Sequence, residues 1–168
     1  MTSACAASRT PSAASRIRSP IRPTRRRSRP GSTGKLVIKG ILEADDARAA
    51  LDAGADGVVI SNHGGRQLDS VASTISKLPA VIEAVGGRLE VFMDGGVRGG
   101  MDVFKAVALG ATGVLIGRPW AWAIAGRGEA GLVDLLATFK RELAVAMALT
   151  GARSISEVHR GLIEWDRC

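Results

Sequence analysis

The sequence predicts an α/β fold of four parallel βα units followed by C-terminal helices. From residue 35 onward, short apolar runs alternate with segments of helical periodicity, and the loops between them are short. Residues 50–60 also resemble residues 106–116, since each segment contains a helix end, a Gly-Ala-x-Gly turn and an apolar strand. Such alternation indicates parallel strands joined by right-handed crossovers. Repeated units of this kind indicate a TIM-type (β/α)8 barrel, of which four units make only half.

The individual elements follow from the apolar pattern. The predicted strands are continuous apolar runs, at residues 35–39, 57–61, 89–93 and 113–117. The predicted helices have apolar residues three and four positions apart, at residues 43–53, 71–85, 101–109 and 131–149. Pro79 is expected to interrupt the second helix early, because proline lacks the donor that a helix interior needs. A last short helix is expected from Ser154, with Ser154 and Glu157 forming a capping box.

The chain has 168 residues and a formal charge of +7, which is unevenly distributed. Residues 1–34 contain eight arginines and no acid, which leaves 15 of the 23 basic residues and all 16 acidic residues in the remainder. These first residues have too few apolar side chains to offset the entropy of ordering. We therefore predict a disordered Arg/Ser/Pro-rich tail at 1–34 and a partial barrel at 35–168.

Three explanations of the tail compete. It is acid-free and rich in arginine and serine, as an organelle transit peptide is, and its charge also suits a nucleic-acid arm. The third explanation is translated sequence that is foreign to the fold, and we favour it because half of the barrel is missing.

Composition argues against several classes of protein. The segment after the tail has no basic stripe with interleaved aromatic residues, so nucleic-acid binding is not expected of it. Cys5 and Cys168 stand at opposite ends of the chain, which suits neither a disulfide framework nor a metal site. We see no apolar run long enough to span a bilayer and no secretory signal. The expected location is the cytoplasm, with peripheral attachment to a membrane as an alternative.

The candidate chemistry lies at the carboxyl ends of the predicted strands, where parallel barrels build their active sites. Ser61 ends the second strand, and His63 and Arg66 follow it among glycines. Histidine exchanges a proton near neutral pH, and arginine presents a planar fork that matches a carboxylate. Lys39 ends the first strand, where its charge can stabilise developing negative charge. We therefore predict proton abstraction from a carboxylate-bearing substrate; an ordinary surface histidine and a solvated lysine are the alternatives.

Two further strand ends carry glycine and arginine. The residues concerned are Asp94, Gly95, Gly96 and Arg98 after the third strand, and Gly117 and Arg118 after the fourth. Glycines at a helix start leave backbone N–H groups open to an anion. Two consecutive ends of this kind match the barrel phosphate site, and the alternative is tight turns with solvated arginines. Trp120 and Trp122 are interpreted as packing residues, and His159 as structural.

Together these motifs resemble the FMN-dependent α-hydroxy-acid dehydrogenases and oxidases. The resemblance runs from about residue 35 to residue 158 and includes residues 36–40, 61–69, 93–98, 102–106 and 117–119. Residues 61–69 are its most specific part, since other barrel families share the phosphate glycines. Residues 140–151 are most similar to the L-lactate dehydrogenase branch. The resemblance implies an enzyme with FMN as cofactor that oxidises a small L-2-hydroxy acid, L-lactate, to the 2-oxo acid.

The resemblance also implies roles for single residues. His63 would act as the base, Arg66 would hold the substrate carboxylate, and Lys39 would stabilise the anionic reduced flavin. The residues that would bind FMN are Lys39, Ser61, Asp94, Gly95, Gly96, Arg98, Gly117 and Arg118. The four strands match the second half of the family barrel, so the fold is its C-terminal half. The electron acceptor stays open between oxygen, a quinone and a cytochrome, and the full-length family implies a homo-oligomer.

The chain departs from this family in its first half. There the family supplies substrate-site tyrosines, a second carboxylate-binding arginine, further flavin contacts and an aspartate that orients the histidine, whereas this chain has no tyrosine. One hypothesis is the oxidation itself, with the missing half supplied from elsewhere. Another is a truncated, non-catalytic half-barrel that keeps only the FMN phosphate half-site and associates through open sheet edges. A third is a nucleic-acid-associated protein that acts through the basic tail.

Overall fold

The computed structural model describes residues 34–164, so the predicted tail lies outside the described residues except for Gly34. Four strands form one parallel sheet in the order β1-β2-β3-β4. The strands are β1 (Val37–Ile41), β2 (Gly57–Ile60), β3 (Glu90–Met93) and β4 (Gly113–Val114). The helices are α1 (Ala44–Asp52), α2 (Thr74–Val85), α3 (Gly100–Ala108) and α4 (Arg118–Thr150), with 3₁₀ turns at His63–Gly65, Ile155–Glu157 and Arg160–Leu162. The four predicted parallel βα units are confirmed.

The register of the strands divides the side chains of the sheet between two faces. One face carries two apolar rows, which are Ile38, Val58 and Val91, and then Ile41, Ile60, Met93 and Val114. This face packs against all four helices and forms the main core, in which Val58 and Ile60 are fully buried. The opposite face carries the row Lys39, Val59, Phe92 and Gly113. Lys39 is the charged residue of this row. It lies near the carboxyl ends of the strands, where parallel barrels build their active sites.

The last helix begins much earlier than its pattern predicts, at Arg118 rather than at residue 131. It breaks at Arg127 and Gly128, where φ is −144° and +60°. Three glycines around this break lower the helix propensity, which explains why the prediction missed the first part of α4. A Cβ atom on Gly131 would lie 2.3 Å from the carbonyl oxygen of Ala123, so the two parts pack closely at the break.

Pro79 does not interrupt α2, which continues through it to Val85. The neighbouring Leu78 and Val81 are fully buried in the main core. Their burial holds the helix together despite the lost backbone hydrogen bond, since tertiary packing supplies most helical stability in proteins. The predicted β1 is also displaced toward Ile41, and β4 extends over only Gly113–Val114.

The predicted capping box at Ser154 is absent. Ser154 Oγ lies 2.8 Å from Ser156 Oγ, and Glu157 instead accepts hydrogen bonds from the backbone N–H and guanidinium of Arg153. These two bonds, the backbone one foremost, hold the pKa of Glu157 below its usual value. The segment therefore closes as a single 3₁₀ turn rather than a helix. None of the helices between residues 34 and 164 is both long and apolar enough to cross a bilayer.

Candidate active site

Lys39 connects the carboxyl ends of the first three strands. Its Nζ donates a hydrogen bond to Ser61 Oγ at 2.7 Å and forms an ion pair with Asp94 Oδ2. Ser61 is fully buried, whereas the side chain of Lys39 is 44% exposed. Asp94 keeps its second oxygen, Oδ1, buried and without a hydrogen-bond partner in the described part of the chain. The structure thus brings three predicted site residues into one polar cluster that retains an unused acceptor.

His63 lies in the 3₁₀ turn after β2 and has a left-handed backbone, with φ at +54°. Its backbone N–H donates to Ser61 Oγ at 3.1 Å, and Asn62 Oδ1 accepts from the N–H of Gly64 at 3.0 Å. These bonds anchor the backbone of the turn. The His63 ring and the exposed guanidinium of Arg66 have no hydrogen-bond or ion-pair partner within residues 34–164. Both groups are therefore open to a ligand.

Arg118 joins the start of α4 to the histidine turn. Its Nη2 donates to the carbonyl oxygen of Gly64 at 2.6 Å. Gly117 caps the N-terminus of α4 and has no side chain that could accept from the first backbone N–H groups of the helix. These N–H groups and the positive end of the helix dipole suit an anion next to Arg118.

Arg98 lies on the neighbouring loop, and its Cζ is 5.9 Å from the centre of the Trp122 ring, a cation–π distance. The interpretation of Trp120 and Trp122 as packing residues is wrong, because they are 47% and 62% exposed. The apolar pattern around them belongs to the first part of α4, which carries them on its surface.

The beginning of α3 is less open to an anion than its glycines predict. The N–H of Gly100 donates to Glu142 Oε2 of α4 at 2.6 Å, and the N–H of Arg98 donates to Asp102 Oδ2 at 2.8 Å. The expectation that the glycines at this helix start have open donors is therefore wrong for Gly100. Gly95 and Gly96 lie earlier in the loop with φ at +83°, and their N–H groups have no partner in the described range. Together with the N–H groups at the start of α4, they are open donors at the mouth, which is the edge of the sheet where the carboxyl ends of β1–β4 lie.

Thr74 was missed by the sequence analysis, although it supports the Gly95 turn. It is the first residue of α2, is 1% exposed and donates from Oγ1 to the carbonyl oxygen of Gly95 at 3.1 Å. Asn62 Oδ1 lies 2.9 Å from the position that a Cβ atom on Gly95 would take. The signal in the sequence was weak, because nothing connects a threonine at a helix start with a glycine in a later loop.

Replacing Thr74 by valine is expected to lower the free energy of unfolding by about 1–2 kcal/mol, since the Gly95 carbonyl loses its donor in a confined place. Urea unfolding followed by circular dichroism measures this change. Thr74→Ser is the matched control, because it keeps the hydroxyl and should recover most of the loss. Equal unfolding midpoints for Thr74→Val and the unchanged chain would contradict the supporting role.

A paired lysine, an open histidine and arginine, and glycine turns with unused N–H groups share one mouth of a parallel half-barrel. This arrangement is typical of barrel enzymes that bind a phosphorylated cofactor. The chain belongs to the FMN-dependent dehydrogenase family, whose model matches residues 23–165. The resemblance seen in the sequence is thereby confirmed, and the family is one of FMN-dependent oxidoreductases that act on α-hydroxy acids.

Two groups of relatives show this similarity. The L-lactate dehydrogenase of Caulobacter vibrioides is 58% identical over 130 residues, which are 77% of this chain and 34% of the relative. The L-lactate dehydrogenase of Pseudomonas putida is 56% identical over 127 residues, 76% of this chain and 33% of the relative. The chain thus spans about a third of the length of these relatives.

Solved structures of mandelate oxidase are similar in both sequence and fold. The complex with benzoyl-formic acid has a TM-score of 0.76 and 48% identity over 79% of this chain and 39% of that chain. A mandelate oxidase with a monooxide FMN adduct has a TM-score of 0.74 and 49% identity over 77% of this chain and 41% of that chain. These partial overlaps confirm the prediction of a half-barrel.

The residues at the mouth fit the polar end of FMN. Asp94 Oδ1 is a buried acceptor without a donor, which suits a cofactor hydroxyl. The unpartnered N–H groups of Gly95 and Gly96 and the start of α4 suit phosphate oxygens. Within residues 34–164 there is no cluster of three or more His, Cys, Asp or Glu side chains placed to hold a metal ion.

Proposed function

We propose that this chain provides the flavin-binding and proton-accepting part of an enzyme that oxidises a small L-2-hydroxy acid, L-lactate, to the 2-oxo acid. The observation that carries the proposal is the end of β1, where Lys39 pairs with Asp94 and the open ring of His63 lies against Gly40. The described residues supply four βα units, and a closed barrel requires four more. Turnover therefore depends on further units from outside residues 34–164.

In this proposal the open groups after β2 handle the substrate. Arg66 binds the substrate carboxylate through its two-pronged guanidinium, which orients the hydroxyl-bearing carbon. His63 then accepts a proton from that carbon or from its hydroxyl and becomes an imidazolium. FMN, when bound, would supply the two-electron acceptor that this oxidation needs. Ser61 and Asp94 hold the Nζ of Lys39 at the end of β1, where it can stabilise developing negative charge.

The cofactor is held through its polar end. Asp94 Oδ1 would accept from a ribityl hydroxyl, and the N–H groups of Gly95, Gly96 and Gly117 would hold the phosphate. Arg98 and Arg118 neutralise the phosphate charge from the two neighbouring loops. Ser61 contributes to the flavin site mainly through Lys39, because its own hydroxyl is buried beneath that lysine.

The second candidate function is a non-catalytic half-barrel that retains only the FMN phosphate half-site. It is favoured by the His63 ring, which no carboxylate orients within the described residues. It is also favoured by β1 and β4, which are the edges of the described sheet. In this case FMN binds through the glycine turns, but Arg66 and His63 convert no substrate.

An exchange of segments separates the two candidates. The matched segment of the Caulobacter vibrioides L-lactate dehydrogenase is replaced by residues 35–164 of this chain, and turnover of L-lactate is measured. Turnover supports the oxidation. A chimera that is folded and binds FMN without oxidising L-lactate supports the non-catalytic candidate and contradicts the first.

Arg118→Met is expected to weaken FMN binding by about tenfold, the loss of one charge-assisted phosphate contact. Riboflavin binding should be unchanged, because riboflavin lacks the phosphate. Quenching of flavin fluorescence on titration with the chain measures both affinities. The control is Arg48→Met, which removes an arginine paired with Asp45 on the surface of α1. If Arg118→Met weakens FMN and riboflavin equally, the phosphate contact is absent.

A further inference from the structure

We propose that Gly40 is a positioning residue for His63, which sets where the imidazole nitrogen Nε2 lies at the mouth. The proposal rests on the proposed function only in giving His63 the role of base. The position of the ring itself is a property of this chain that can be measured without cofactor or substrate.

Gly40 is the extra residue of a bulge at the end of β1. Lys39 pairs with Val59, and the next pair is Ile41 with Ile60, so Gly40 has no partner on β2. Its φ is +98°, which lies in the left-handed half of conformational space that favours glycine. Bulges of this kind bend a strand and redirect neighbouring side chains, and they occur often beside active sites.

The bulge brings the backbone of β1 against the His63 ring. A Cβ atom built on Gly40 would lie 2.9 Å from Nε2 and 3.7 Å from Cε1 of His63. Ordinary non-bonded contacts between such atoms are about 3.5–4 Å, so any side chain at residue 40 displaces the ring. The ring packs on Gly40 because the glycine leaves this space open.

No hydrogen bond competes with this packing in fixing the ring. The backbone N–H of His63 is held by Ser61 Oγ, whereas the ring has no hydrogen-bond partner in the part of the chain that the structure describes. On the side of the ring that faces β1, the backbone of Gly40 therefore limits where the ring can lie. Because Lys39 directly precedes Gly40, the same bulge places the lysine and the histidine at a set separation.

The first test is made on the unchanged chain by nuclear magnetic resonance. The sequence contains only two histidines, so the ring signals of His63 and His159 are readily separated. We expect a nuclear Overhauser contact between the Hα protons of Gly40 and the ring of His63. Its absence in the folded chain overturns the proposal, and this test needs no variant that folds.

The second test compares alanine substitutions of two glycines that both have a positive φ. Gly40→Ala is expected to shift the ring signals of His63 and to leave those of His159 in place. Gly54→Ala is the matched control, because Gly54 has φ at +81° but nothing within 4 Å of its Cβ position. It should leave both rings unchanged. An unshifted His63 ring in a folded Gly40→Ala chain refutes the positioning role.

These results are independent of the proposed oxidation. A Gly40–His63 contact in a chain whose chimera lacks turnover would keep the positioning and reject the function. A missing contact with an active chimera would reject the positioning alone.

Discussion

Replacing Gly100 by alanine is expected to destabilise the described domain by about 3 kcal/mol or more, because it overpacks a rigid contact. A Cβ atom on Gly100 would lie 2.3 Å from both the backbone nitrogen of Leu143 and the carbonyl oxygen of Phe139. Both atoms belong to the backbone of α4, so no side-chain rotation relieves the clash. Separation of α3 from α4 would also break the hydrogen bond from the Gly100 N–H to Glu142.

Urea unfolding followed by circular dichroism measures this loss. Gly126→Ala is the control, since Gly126 lies in α4 with nothing within 4 Å of its Cβ position. Alanine is expected to stabilise the helix there by about 0.5–1 kcal/mol. Similar unfolding midpoints for the two variants would show that α3 and α4 do not pack as closely as the structure shows.

Replacing His63 by glutamine is expected to lower kcat of the segment-exchange chimera by about 10²–10⁴-fold, the usual contribution of a general base. Glutamine approximates the size of histidine but does not accept a proton at neutral pH. FMN affinity should stay the same, because the glycines and arginines that are proposed to hold the phosphate are unaltered. Steady-state kinetics with L-lactate and a flavin titration measure the two effects.

His159→Gln is the matched control for that substitution. His159 Nδ1 accepts from the N–H of Gly161 at 3.2 Å in a turn near the end of the described range. A glutamine side chain can supply a similar acceptor, so turnover should be retained. A chimera that loses turnover equally with either substitution would argue against a base at His63.

The strand ends were predictable because a short apolar run followed by glycine and a charged residue is a local pattern. Lys39, Ser61 and Asp94 meet in the structure as their places after successive parallel strands imply. The contacts that support them depend on register and distant packing. The bulge at Gly40 is visible only once β1 and β2 are paired, and Glu142 reaches Gly100 from 42 residues further along the chain.

Two predictions of where helices break or begin are wrong for the same physical reason. Pro79 and the glycines near Arg127 both lower local helix propensity, yet α2 continues and α4 begins at Arg118. In each case buried neighbours or close backbone packing override the local preference. At Ser154, by contrast, a helix is predicted and does not form. Arg153 donates to the Glu157 carboxylate that the capping box needs.

The strand order has a consequence for how the polypeptide reaches this structure. Each strand pairs with the one synthesised immediately before it, so no pairing within the sheet waits for a distant part of the chain. Each parallel pairing must first close the crossover between its two strands and is slow for that reason, and growing chains fold from the N-terminus as they emerge. We therefore expect β1 and β2 to dock with α1 on the ribosome before α4 has been translated. The mouth would then be assembled one strand end at a time, with Lys39 in place before its partner Asp94 is made.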